Sequence, residues 1–267
     1  MAVQTEEYGS RLYGFDQPLE RERIGLIGEV FDPYTRRRIT DLGALTGRRC
    51  LDVGAGPGTV AAWLADQSGP DGEVIALDRD TSLLHEAGHP GVHIWRADIH
   101  TASDDELPKP GFDLIHARLT LCHLPRREEV LPRLVSWLAP GGHLIVSDVI
   151  NTMAATSPHP AVRALTQAYD RALATTLDSD LNYARAYPTP LINAGLTGVD
   201  MAADVPLVRA DSHTARFWEL TFTAMRTEIL ATGLIDAADF DKAIDHLTAR
   251  GTHELGYTLV SAWGRSA

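Results

Sequence analysis

Lysine, cysteine and long apolar runs are scarce in this chain, and each scarcity excludes something. Only two of the 24 basic residues are lysines, Lys109 and Lys242, an arginine bias in keeping with a GC-rich genome. Two cysteines, Cys50 and Cys122, cannot build a disulfide framework. Both stand in apolar runs, where a free thiol behaves as a small core residue, and a reducing, cytoplasmic setting is expected. No run approaches the roughly 18 apolar residues that span a bilayer, so no membrane partner is expected. Residues 1–20, MAVQTEEYGSRLYGFDQPLE, are acidic and lack the apolar core of a signal peptide. Basic charge is short as well: 24 Lys and Arg against 36 Asp and Glu leave a net charge of -12. A polyanionic backbone would be repelled, so a nucleic acid substrate is not expected.

What is present is an ordinary globular composition, 44% apolar and 22% charged, in 267 residues. That length suits one well-buried core with an attached cap. From residue 48 to 150, short apolar runs bounded by turn residues alternate with helical patterns, as in a parallel α/β sheet. Five strands are predicted, at 48–54, 73–78, 92–98, 112–118 and 143–150, with Val, Ile and Leu content suited to burial on both faces. Val60, Trp63 and Leu64 mark one crossover helix and Val130, Leu134 and Leu138 another; Pro140-Gly141-Gly142 is expected to turn the chain into the fifth strand. Helical spacing also runs through residues 18–45 and recurs near 159–175, 213–232 and 236–249. Two further strands are predicted at 198–208 and 254–264.

The segment Leu51-Asp-Val-Gly-Ala-Gly-Pro-Gly58 ends the first strand and opens a helix. Glycines at alternate positions, Gly54, Gly56 and Gly58, allow the backbone to turn tightly against a ligand. Twenty residues after Gly58 the second strand ends in Asp78, where a carboxylate can accept both hydroxyls of a ribose. The glycine spacing is G-x-G-x-G, a poor match to the dinucleotide pattern G-x-G-x-x-G. Asp52, two residues before the first glycine, would repel a pyrophosphate yet could orient the ammonium of a methionine moiety.

These residues resemble motif I of the class I S-adenosylmethionine-dependent methyltransferases. The segment YGFDQPLERERIGLIGEVFDP and the terminal LVSAWGRSA resemble the menaquinone-type and actinobacterial small-molecule branch of that family. The resemblance implies a doubly wound, Rossmann-like α/β fold: seven mostly parallel strands in the order 3-2-1-4-5-7-6, the last antiparallel. It implies a helical cap over residues 1–45 and a methyltransferase domain over 46–267, with a cap insertion at about 151–195. S-adenosyl-L-methionine is the implied cofactor. Gly54, Gly56 and Gly58 would line its methionine portion, Asp78 would hold the ribose, and Arg79 would lie along the adenosine. Asp98 and the backbone of Ile99 would meet the adenine, and the main-chain carbonyl of Arg118 the methionine ammonium. His123 would stand near the methyl group as the candidate base, and Tyr13 would close over the cofactor.

Plainer readings of the same residues stay open: helix capping for Asp98, a helix-start hydrogen bond for His123 and hydrophobic packing for Tyr13. The expected activity is transfer of a methyl group to O, N or C of a small metabolite in natural-product metabolism. A non-catalytic cofactor-binding protein and a nicotinamide-dependent oxidoreductase are the alternatives. Oligomeric state is left open, a homodimer included. The string His85-Glu-Ala-Gly-His89 matches H-E-x-x-H, but Gly88, Pro90 and Gly91 should end the helix before the second histidine, and no metal is expected.

Overall fold

In a computed structural model the described residues are 18–101, 103 and 110–267. Tyr13 lies outside them. The chain begins with α1 (Pro18–Asp41), then β1 (Arg49–Val53), α2 (Thr59–Ser68), β2 (Glu73–Asp78), α3 (Ser82–Ala87), β3 (Val92–Arg96) and β4 (Phe112–Arg118). It continues with α4 (Arg127–Ser136), β5 (Leu138–Ile150), α5 (Met153–Thr156), α6 (Pro160–Thr176), α7 (Thr189–Asn193), β6 (Thr197–Asp204) and β7 (Leu207–Arg209). Last come α8 (His213–Ala224), α9 (Arg226–Ala231), α10 (Ala237–Thr248), β8 (His253–Leu255) and β9 (Thr258–Arg265).

Seven strands form one sheet in the order β3-β2-β1-β4-β5-β9-β6. Renumbered by the seven strands alone this is 3-2-1-4-5-7-6, with the last strand antiparallel, as the sequence led us to expect. The first five strands pair in parallel; the centres of β1, β2, β4 and β5 are buried, as in a sheet covered by crossover helices, while β3 at the sheet edge is only partly covered. Helix α2 supplies Val60, Ala61 and Leu64 to a core with Cys50, Val74, Ala76, Leu84, Leu114 and Ile145. Cys50 and Cys122 are fully buried, and burial pushes the Cys50 thiol up to about 11.

Several boundaries differ from expectation. Strand β5 starts at Leu138, not at 143: Pro140-Gly141-Gly142 forms a bulge within it, where pairing jumps from Phe112 with Leu138 to Leu114 with His143. A side chain at Gly142 would meet the Phe112 carbonyl at 2.6 Å, so glycine permits the close approach. The strand expected at 198–208 divides into β6 and β7, and that at 254–264 into β8 and β9. The inner pieces, β7 and β8, pair with each other as a separate antiparallel sheet. Gly256 N–H donates to the Pro206 carbonyl at 2.9 Å, and a Cβ at Gly256 would fall 2.6 Å from that oxygen. Helix α8 ends at Ala224, and α9 begins at Arg226 after Met225.

Two compact units divide the chain. One holds the described residues through Phe31 with Val149–Tyr183 and Asp204–Leu259. In it Tyr169, Phe217, Trp218, Phe222 and Tyr257 are buried and pack as rings, Trp218 stacking on Tyr257 at 4.2 Å between centroids. These side chains form core. The other unit holds Asp32–Asp148, Ala184–Ala203 and Val260–Ala267, and it carries the glycine loop.

Candidate active site

The C-terminal ends of β1, β2, β3 and β4 gather nearly every residue singled out by the sequence. Gly54, Gly56 and Gly58 have φ of 67°, 53° and 78°, in the left-handed region that glycine enters without a Cβ penalty. What each missing side chain leaves room for differs. At Gly54 a Cβ would lie 2.3 Å from Thr120 Oγ1, and at Gly58 it would lie 2.5 Å from Leu84 Cδ2. At Gly56 it would meet nothing within 4 Å. Two of the glycines therefore serve packing, and one opens onto free space.

Asp78 ties this loop to the end of β2. Its Oδ2 accepts from Gly56 N–H at 2.8 Å and its Oδ1 from Asp80 N–H at 3.0 Å. Burial raises the Asp78 carboxyl above its ordinary range, and the backbone donors of Gly56, Asp80 and Arg79 oppose that rise. A carboxylate offers about four lone-pair directions, so both oxygens keep acceptor capacity beyond these bonds. Arg79 is exposed, and its carbonyl accepts from Arg96. On the neighbouring strand, Ala97 N–H donates to the Asp78 carbonyl at 3.0 Å, and Asp98 follows one residue further along. Asp98 Oδ1 accepts from His100 N–H at 2.8 Å, a local turn, and the Ile99 carbonyl accepts from Arg133.

Asp52 is not aimed out of the loop. Its register partner across β1 and β4 is His116, and Asp52 Oδ1 meets His116 Nδ1 at 2.7 Å with both side chains almost wholly buried. Side chains of paired residues on adjacent parallel strands share a sheet face, which is why these two find each other. His116 Nε2 is buried without a hydrogen-bond partner among the described residues.

Arg118 is placed differently from a surface charge. Its guanidinium donates to Asp32 Oδ1 at 2.8 Å and to Thr35 Oγ1 at 2.9 Å, and the ion pair is 9% and 8% exposed. Asp32 also accepts from Thr59 Oγ1 and Arg36, so one carboxylate on α1 joins the end of β4 to the start of α2. The Arg118 carbonyl accepts from Thr120 Oγ1, which also lies 3.2 Å from Val53 O. Leu119 between them has φ of 51°, a costly conformation for a branched side chain.

Beyond Thr120 the chain makes a tight turn, Leu121–His123, with His123 half-buried and its N–H on the Thr120 carbonyl. Asp148 on β5, 1% exposed, accepts from Cys122 N–H in this turn and from the Tyr187 hydroxyl at 2.6 Å. Burial pushes its carboxyl up to about 6. Asp148 has a signal in the sequence, an acid inside the apolar run HLIVSDVI; Thr120 and Asp32 have none.

The raised Asp148 value carries a pH dependence whose sign follows from linkage. The folded protein holds this proton at higher pH than the unfolded chain, whose carboxyl titrates near 3.8. Stability from this group is therefore greatest at low pH, falls between about pH 4 and 6, and stays reduced above that. A rise of about two units corresponds to roughly 3 kcal/mol. Urea unfolding of wild type and Asp148→Asn across pH 4 to 7 should show the variant gaining on wild type by about that amount. Parallel stability curves would contradict the assignment.

The second histidine of the H-E-x-x-H string stands outside α3, which ends at Ala87 with Gly88 in the left-handed region. His89 Nε2 instead lies 3.2 Å from the Pro57 carbonyl, bracing the glycine loop.

Residues 51–144 match the family described as methyltransferase domain. A methyltransferase of Strobilurus tenacellus, str3, is 35% identical over 102 residues, which are 38% of this chain and 35% of that protein. A trans-aconitate 2-methyltransferase of Mycobacterium tuberculosis is 32% identical over 127 residues, 48% of this chain and 46% of that protein. The chain thus spans less than half the length of these curated relatives. A SAM dependent methyltransferase from Aquifex aeolicus shares the fold with a TM-score of 0.51 at 16% identity, over 98% of this chain and all of that one. The glycine loop at the end of β1 and Asp78 at the end of β2 both lie within residues 51–144, the stretch that matches the methyltransferase domain, and the 3-2-1-4-5-7-6 sheet that carries them is shared with a SAM dependent methyltransferase.

Proposed function

We propose that this chain transfers the methyl group of S-adenosylmethionine to a small metabolite. The observation that carries the reading is Gly56: an alternate-glycine loop whose middle member faces open space while its N–H is held by the half-buried Asp78 carboxylate. That cradle fits a nucleoside with a short amino-acid tail. Asp78 would hold the ribose hydroxyls, the Asp98 side chain and Ile99 amide the adenine, Arg79 the adenosine edge, and the Arg118 carbonyl the ammonium. Gly54 and Gly58 would shape the loop, and Asp52 would act from beneath it. When bound, the cofactor supplies a sulfonium-activated methyl group. The protein's share is alignment, which can contribute roughly 7 to 11 kcal/mol. Where the acceptor must lose a proton, His123 is the proposed base, a role worth about 10²- to 10⁴-fold. Asp148 would act as a positioning residue through the turn that carries His123.

A small acceptor is supported by the net charge of -12 and by the relatives named for trans-aconitate and from Strobilurus. A role in natural-product metabolism rests on the same resemblance. Formation of S-adenosylhomocysteine from S-adenosylmethionine with a panel of small carboxylic acids, phenols and amines tests the activity; turnover with nicotinamide absorbance changes instead would overturn it. The loop has its own test. Gly56→Ala adds no clash and should cost only the left-handed strain of about 1 to 2 kcal/mol, yet should weaken S-adenosylhomocysteine markedly in calorimetry. Gly58→Ala should instead lower the melting temperature further, through the Leu84 contact. Equal affinities for Gly56→Ala and wild type would remove the loop from the binding site.

A further inference from the structure

We propose a zinc site formed by His159, His246 and Glu254, distinct from the methyltransfer site. The three residues come from separate elements: His159 precedes α6, His246 lies in the last turn of α10, and Glu254 is the middle residue of β8. One ligand atom from each lies within 4.8 Å of the others. His246 Nε2 is 3.0 Å from Glu254 Oε1, and the two imidazoles face each other with centroids 3.6 Å apart.

Two imidazoles and one carboxylate are the donor set of many zinc centres, with water in the fourth position. Calcium and magnesium, which take oxygen ligands, fit it poorly. The carboxylate is the anchor. Glu254 is 4% exposed, and β8 fixes its backbone through pairing with Val208 in β7. Both of its side-chain hydrogen bonds among the described residues fall on Oε1, from His246 and from the Ser157 hydroxyl at 3.0 Å, which leaves Oε2 as a ligand atom.

An outer layer holds the ligands in place. Ser157 Oγ accepts from His159 N–H at 3.1 Å, and Arg163 donates to the Ser157 carbonyl at 2.7 Å. Thr252 Oγ1 donates to the His246 carbonyl. Partners of this kind orient metal ligands and commonly change affinity by about 10- to 100-fold when lost. Exposure rises from Glu254 through His246 to His159, so the cluster opens to solvent on the His159 side and has an entry path for the ion. The ion would staple the start of α6 to α10 and β8, positions up to 95 residues apart in sequence. That dispersion is why no metal was expected from the sequence.

The test uses the full, tag-free chain stripped with a chelator and zinc alone as probe. One zinc per chain should survive gel filtration, and the melting temperature should rise with zinc concentration, since an ion that binds only the folded form stabilises it. His159→Ala removes an exposed side chain that makes no capping bond and gives up only its ring contact with His246, so its zinc-free melting should fall by a few degrees at most while its zinc affinity falls by about 10- to 100-fold or more. Glu254→Gln and His246→Ala should abolish retention. Failure of wild type to retain stoichiometric zinc, or His159→Ala binding it as tightly as wild type, would overturn the site.

Discussion

Asp78→Ala is expected to abolish measurable binding of S-adenosylmethionine and S-adenosylhomocysteine in calorimetry, while the protein remains folded by circular dichroism. Two losses combine. The ribose hydroxyls lose the acceptor proposed for them, and hydrogen bonds to a charged acceptor are worth about 1.5 to 3 kcal/mol each. The loop also loses its tie, because Gly56 N–H and Asp80 N–H both end on this carboxylate. A drop of about 3 to 6 kcal/mol for two such bonds is a factor of roughly 10² to 10⁴ in affinity. Asp78→Asn separates the contributions. An amide keeps one acceptor oxygen for the loop but replaces the other with a donor, so the loop tie should be partly retained and affinity should still fall. Unchanged affinity in Asp78→Ala would remove the ribose assignment, and with it the cofactor placement.

The sheet was legible because its signal is local. Strands buried on both faces read as continuous apolar runs, and Gly69-Pro70-Asp71-Gly72 or the glycine loop marks their ends within a few residues. The division of β6 from β7 and of β8 from β9 was not legible, since it depends on Gly256 approaching the Pro206 carbonyl across 50 positions. Periodicity along one segment carries no trace of that contact. The glycine loop shows the same limit at finer scale. Alternate glycines announce a tight turn, but whether each missing Cβ makes room for a ligand or for Thr120 and Leu84 is decided by side chains from other elements. Asp52 looked available because it adjoins the loop; its partner, His116, stands 64 positions away and is fixed only by strand register. Local chemistry was readable, and long-range pairing was not.

Asp32→Ala is expected to destabilise the protein by about 3 to 5 kcal/mol, because it strands a buried guanidinium. Arg118 is 9% exposed, and Thr35 Oγ1 offers it a neutral acceptor only. The same substitution frees Thr59 Oγ1 at the first residue of α2 and releases Arg36. A domain of this size shifts by roughly 2 to 4 °C per kcal/mol, so melting should fall by about 6 to 20 °C. The partner experiment distinguishes a stranded charge from lost packing. In Asp32→Ala combined with Arg118→Met the uncompensated charge is gone, and a buried ion pair replaced by apolar groups is often neutral. The double variant should therefore recover much of the loss. If it is instead as unstable as the sum of the single variants, the pair contributes by packing α1 against β4 rather than by charge. Recovery would also separate stability from function: the Arg118 carbonyl is backbone and survives the change to methionine, so cofactor affinity should return with the fold.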